Sequence, residues 1–326
     1  MLRIHFTDDD LSRIRFAAKP DPLWETVLSL TLLGNARGRV VFNPWRSQVQ
    51  TELEQLPREQ LLLLRRLVPP VGDFPDFLTP LQAHQGIEAG IDAVLSVSRR
   101  RLHRELTDLP GLPSWIRPLA NGDSQGLARL GRALRDYHRH AIAPYESRMR
   151  TLVDAERAVR ARALLDHGSQ GLLADLGPSM RWKPPILEVT YPLQRDLYLS
   201  GRGLLLIPSA FCWQVPVTLI NSELPPVLVY PLPRTPGWWA GPTGNDHPRA
   251  LARLLGPTRA ACLRVIEDGC TNGELARRTG TAPATASQHA SILREADLIT
   301  TTRHHNTVLH TLTPLGAALL HATPRP

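Results

Sequence analysis

Residues 283 to 291, PATASQHAS, bring together one amide, several hydroxyls and small side chains in little more than two helical turns. At 3.6 residues per turn, Ala284, Gln288 and Ser291 share a face, with Thr285 and Ser287 at its flanks and Pro283 at its start. Gln288 has the most specific chemistry of the set. Its amide both donates and accepts, which matches the donor and acceptor that adenine turns toward the major groove. Small and hydroxylated neighbours let such a face approach a base edge directly or through water. Arg277 and Arg278 before it, and Arg303 and His304 beyond it, are residue types that hold phosphate oxygens.

Two short helices must position these groups. The first is predicted to open at Thr271, where the hydroxyl and the Glu274 side chain three positions on have the spacing of a reciprocal cap. Leu275 and Ala276 face inward, and Gly280 supplies the left-handed residue that ends the helix. Pro283 suits the first turn of the second helix, where its missing N–H has no partner to lose. Ala286, Ala290 and Leu293, at i, i+4 and i+7, form that helix's inward face. Leu298 to Arg303 and Thr307 to Leu312 predict a hairpin turning at residues 304–306. Thr313 and Pro314 then open a last helix, with Leu315, Ala318 and Leu319 on its buried face. A further helix, from Pro257 to Asp268 with Cys262, Val265 and Ile266 at core spacing, precedes the pair and ends at Gly269. Helix, turn, helix, wing and helix in that order are a winged helix-turn-helix.

In the stretch GELARRTG...PATASQHASILREADLI and the tail TPLGAALL, residues 248 to 321 resemble the winged domain of bacterial ArsR-like transcriptional regulators. The resemblance covers the last quarter of the chain. It implies a homodimer that binds double-stranded DNA at an operator of approximate two-fold symmetry. Three positions depart from the family's pattern. Ala282 stands where a serine usually caps the recognition helix, Ala290 stands where a larger leucine is common, and no Lys or Arg lies between Thr281 and Leu293. The family's metal sensors pair cysteines on the recognition-type helix or near the termini; Cys212, Cys262 and Cys270 do not match that placement, so no metal is expected.

The net charge of +8 favours an anionic partner but is spread along the chain, with +3 in residues 246 to 326 and +5 before them. Three irregularly spaced cysteines make no disulfide framework, and the start MLRIHFTDDD has no apolar signal core. No apolar run reaches membrane-spanning length. These features predict a cytoplasmic, nucleoid-associated protein without a membrane partner.

Residues 1 to 235 read as an α+β regulatory or interaction domain, mostly helical and ending in a small antiparallel sheet. Residues 236 to 247, dense in Pro and Gly, read as a linker, and residues 248 to 326 as the DNA-binding domain. Helices are predicted from Asp21 to Gly34, from Pro57 to Leu67, from about Leu81 to Leu106, and over Asp123 to Asp166 with a bend at Pro144. The runs ILEVTY, RDLYLS, GLLLIP, VPVTLI and VLVYPL predict strands, with Gly201-Arg202-Gly203 as a hairpin turn. The run from Leu199 to Pro231 looks like an amino-terminal domain of some actinobacterial regulators, one with no settled activity. No phosphate-binding loop, nucleophile elbow or paired-histidine zinc motif is present, so neither catalytic residues nor a cofactor is expected. Trp24, Trp45, Phe211 and Trp213 suit either an apolar pocket for a small-molecule effector or ordinary core. The alternative to DNA binding is a winged module for protein interaction, motivated by the missing basic residue on the recognition helix.

Overall fold

Helix starts in the N-terminal half are set by carboxylates and hydroxyls that take up otherwise unpaired N–H groups. Thr7 accepts from the Asp10 N–H, and the Asp10 carboxylate returns to the Thr7 N–H at 2.9 Å. Asp21 accepts from Leu23 and Trp24, and Asp123 from Gly126 at 2.7 Å. The computed structural model describes residues 1–107, 109, 113–234, 238, 246–304 and 307–321, without the side chains of 246–250, 268, 303, 304, 307 and 321. The fold is α+β, 57% helix and 14% strand. Two compact units divide the chain, Met1–Trp239 and Ala240–Pro326. Of the expected linker, residues 236, 237 and 239–245 lie outside the described residues, Trp238 is buried, and Asp246 already begins a helix.

The first unit starts with β1 (Leu2–His5), α1 (Asp8–Ser12) and β2 (Arg15–Phe16), followed by α2 (Pro22–Leu33), α3 (Arg39–Leu53) and α4 (Arg58–Leu67). Next come α5 (Ile87–Leu95), α6 (Arg99–Thr107), α7 (Arg117–Ala120), α8 (Ser124–Ala141) and α9 (Glu146–Ala174). Six strands close the unit: β3 (Met180–Lys183), β4 (Ile186–Val189), β5 (Arg195–Tyr198), β6 (Leu205–Ser209), β7 (Val217–Thr218) and β8 (Val227–Pro231). Nine of the twelve residues of α2 are buried, so it is a core helix surrounded by the others. Each large aliphatic or aromatic side chain buried there contributes about 1.5–3 kcal/mol.

Three sequence expectations are corrected. The single antiparallel sheet is instead two four-stranded mixed sheets, ordered β3-β4-β1-β5 and β2-β6-β8-β7. β1 runs antiparallel to β4 but parallel to β5, and β6 is parallel to both β2 and β8. The partners of β1 and β2 lie more than 180 residues away and leave no local signal, and the crossover of those parallel pairs is the whole helical layer, whereas β6 and β8 are joined through β7. Gly201-Arg202-Gly203 is accordingly no hairpin, because it carries the chain from β5 in one sheet to β6 in the other. Gly203 has φ +71°, gives its N–H to Asp10 at 2.8 Å, and lies where a Cβ would meet the Arg13 carbonyl oxygen at 2.4 Å. Finally, the helix expected from Leu81 to Leu106 is broken into a 3-10 turn (Leu81–Gln85), α5 and α6.

Glu25 ties the helical layer to the second sheet. Its carboxylate is buried in α2 and accepts from the N–H groups of Ala210 and Phe211 and from the Ser209 hydroxyl, at 2.8 to 2.9 Å. Arg234 donates to the carbonyls of Ser209, Ala210 and Cys212 and lies over the rings of Phe42 and Trp213. Trp24, Trp45 and Phe211 are core side chains, with Phe211 4.7 Å from Trp45. A cleft of about 420 Å³ nearby reaches Phe211 and Trp213 but neither Trp24 nor Trp45, so the four aromatics do not enclose one pocket. Cys212 is buried, and desolvation pushes its thiol up to about 12. Among the described residues no helix is long and apolar enough to cross a membrane.

Burial pushes Glu25 up to about 7 from an ordinary 4.5, the hydrogen bonds and Arg234 only partly offsetting it. Because the folded state holds this proton more tightly, its contribution to stability is complete below pH 4.5 and is lost as pH rises through 7. Relative to a Glu25→Gln variant, the wild type should lose about 3 kcal/mol of unfolding free energy between pH 4.5 and 8. Urea unfolding at a series of pH values measures this; parallel curves for the two proteins would refute it.

Candidate nucleic-acid interface

The second unit contains α10 (Asp246–Leu255), α11 (Pro257–Val265), β9 (Cys270–Thr271), α12 (Asn272–Thr279), α13 (Pro283–Glu295), β10 (Ile299–His304), β11 (Thr307–Leu312) and α14 (Pro314–His321). The strands form one antiparallel sheet, β10-β11-β9. Cys262, Leu263, Ile266, Leu275, Ala286, Ala290, Leu293 and Ile299 share its core. α12 ends at Gly280 with φ +65° and ψ 26°, and the Thr281 N–H bonds back to the Ala276 carbonyl at 3.0 Å. A Cβ at Gly280 would meet nothing, so conformation rather than space calls for glycine there.

The reciprocal cap expected at Thr271 forms only by half. Thr271 accepts from the Glu274 N–H at 3.3 Å, but the Glu274 carboxylate turns to Arg278 at 2.7 Å and Arg277 at 3.7 Å. An ion pair with two nearby guanidinium groups competes with a backbone N–H for the same oxygens. Both arginines are exposed, held by one acid.

On α13, Pro283, Ala284, Ser287 and Gln288 are exposed, Thr285 and Ser291 half-buried, and Ala286, Ala290 and Leu293 buried. The proposed reading face is therefore one face in space. Ser291 differs from the rest because its hydroxyl donates to Glu295 at 3.1 Å and accepts from Arg294 at 3.0 Å. Ala282 is the N-cap residue and provides no side-chain bond, while Thr281 bonds to the Thr279 hydroxyl instead of capping. No side chain thus covers the first N–H groups of the helix, where its dipole favours an anion. The side chains of Arg303 and His304, and residues 305 and 306 at the hairpin turn, lie outside the described residues.

Residues that the sequence did not single out complete the surface. A cleft of about 460 Å³ lies between α13 and the wing, lined by Asn272, Ser287, Arg294, Thr301 and His310, with Ala290 in its wall. His310 is 4% exposed; its Nδ1 pairs with the Thr301 hydroxyl at 3.0 Å and its Nε2 has no partner among the described residues. Burial, and then Arg294, push the imidazole below its ordinary range. Asn272 donates to the Pro283 carbonyl at 3.3 Å and leaves its buried oxygen unpaired. One guanidinium and hydroxyls, without a carboxylate in the lining, give the cleft donors suited to an anionic oxygen. Strand alternation could have placed Thr301 and His310 on one face, but nothing local shows that this face looks toward α13.

Cys262 and Cys270 are buried, and desolvation pushes both thiols up. Among the described residues no group of three or more His, Cys, Asp or Glu could hold a metal ion. Comparison with protein-family models, curated proteins and solved structures yields no match.

Ala282→Ser restores a capping oxygen and should stabilise the second unit by about 1 kcal/mol. Denaturant unfolding, with slower hydrogen exchange at Ala284 and Thr285, checks it. An unchanged midpoint would mean that these N–H groups are already satisfied.

Proposed function

We propose that the chain is a DNA-binding transcriptional regulator of the ArsR-like kind, acting as a homodimer on an approximately palindromic duplex. The observation that carries this reading is the exposed α13 face of Pro283, Ala284, Ser287 and Gln288 beside a donor-rich cleft at the wing. Gln288 would pair with an adenine edge in the major groove, and Thr285 and Ser287 would meet bases or bridging waters. Backbone phosphates would be held by Arg277, Arg278, Arg294, Arg303 and His304 and by the uncapped start of α13. Ser291, engaged by its neighbours, is better suited to orienting Arg294 than to reading a base.

Leu254 and Leu315, 70% and 54% exposed, are apolar surface available to a second copy. A dyad would set the two reading helices about 34 Å apart. The N-terminal unit would then receive a small-molecule effector or a partner.

A winged module for protein interaction is the second reading. It is favoured by the engagement of Arg277 and Arg278 with Glu274 and by the lack of a basic residue between Thr281 and Leu293. Gel shift against the promoter region upstream of its own gene separates the two, since a protein that retains no duplex at low salt leaves only this one.

Gln288→Ala should relax preference at one base pair by about 1–3 kcal/mol. Arg294→Ala should instead weaken all duplexes alike and lower the slope of log affinity against log salt by about 1. Equal losses on operator and random DNA for both variants would overturn these roles.

A further inference from the structure

We propose that the N-terminal unit carries a binding site for an amphipathic acid, in a cleft between α4, the 3-10 turn Ser114–Ile116 and α8. The site stands apart from DNA binding and would be unaffected if that reading failed.

The cleft measures about 500 Å³, the size of pocket that takes a small organic ligand. Its floor is apolar: Leu63, Ile116 and Leu119 are buried. Two larger side chains stand in its walls unburied, Leu62 at 47% and Trp115 at 44% exposure. Helical spacing explains Leu62: in REQLLLLRRL, Leu63, Leu64 and Leu67 turn inward, which leaves Leu62 on the outer side. Apolar area of this kind, recessed in a cleft, gains from being covered.

The charges around the cleft indicate what would cover it. Arg129 and Arg132, three positions apart on α8, line it, and neither has an ion-pair partner among the described residues. Farther along the same helix the arginines are paired, Arg135 with Glu88 at 2.7 Å and Arg139 with Asp136 at 3.6 Å. Glu59 is the one acid in the lining, so the cleft has an excess of positive charge over an apolar floor. An apolar body with a single carboxylate matches that pattern.

Gln60, in the same lining, is turned to the protein: its amide nitrogen donates to Asp136 at 3.2 Å and its oxygen is buried. The apolar floor and the two unpaired arginines together describe a hydrocarbon chain with a terminal carboxylate, as in a medium-chain fatty acid.

The probes are decanoate and its methyl ester, each titrated below its self-association threshold into the full-length protein. Calorimetry gives stoichiometry and affinity, and the fluorescence change lost in a Trp115→Phe variant reports Trp115 among the seven tryptophans. Decanoate should bind one to one, with the ester, which lacks the charge, weaker by about tenfold or more. Arg129→Glu with Arg132→Glu should weaken the acid by at least about tenfold and leave the ester unchanged. An unchanged melting temperature shows that the charge reversals leave the fold intact; if they lower it, Arg129→Ala with Arg132→Ala replaces them and should give a smaller loss of the same sign. No saturable binding, equal affinity for acid and ester, or indifference to both arginine pairs would overturn the proposal.

Discussion

The N-terminal unit depends on carboxylates that satisfy the backbone where its strands end. A chain leaving a sheet inside a protein exposes N–H groups that neither the ladder nor water can pair, and each costs about 1–3 kcal/mol if left alone. Glu25 meets this need for Ala210 and Phe211 from the first turn of a core helix, and also takes the Ser209 hydroxyl. Asp10 does it for Gly203, and Asp76 for Ile220 and Asn221. Arg234 takes the carbonyls of the same 209–212 segment, so its backbone is satisfied from both sides. The acids therefore join helical layer to sheet where apolar packing alone would leave the chain direction free.

What the sequence made legible was local. Asp21 before Pro22, Pro57, Asp123, Pro144, and Thr271 with Gly280 act on the residues beside them, and helices begin or break there. α3 escaped notice because it starts at Gly38 in a left-handed conformation without a side-chain cap and contains Pro44, two features that argue against a helix. The single helix expected from Leu81 broke where Gly86, at φ +144°, and the residues around Ser98 interrupt it. The parallel pairings of β1, β2 and β6, and the meeting of Asn272 with His310 across the wing cleft, join residues far apart in the chain. A one-dimensional pattern of polarity carries no sign of them.

The same contrast separates the two parts of the candidate interface. The α13 face could be drawn from helical spacing because one helix supplies all of it. The cleft beside it needs α12, α13 and the wing together, and its depth comes from an absence: Ala290 in its wall is small. A leucine there would add core volume and close part of the space between helix and wing. Likewise Ala282 forgoes a cap and leaves the first N–H groups of α13 without a side-chain partner.

Every strand pairing of the N-terminal unit that involves residues 2 to 16 reaches to residue 186 or later. During synthesis, then, neither β1 nor β2 finds a neighbour until most of the unit has left the ribosome, whereas α2 can already pack on the helices that follow it. The two ends of the unit are therefore the last to be joined, and the closing of that long loop sets the pace of folding more than the helices do.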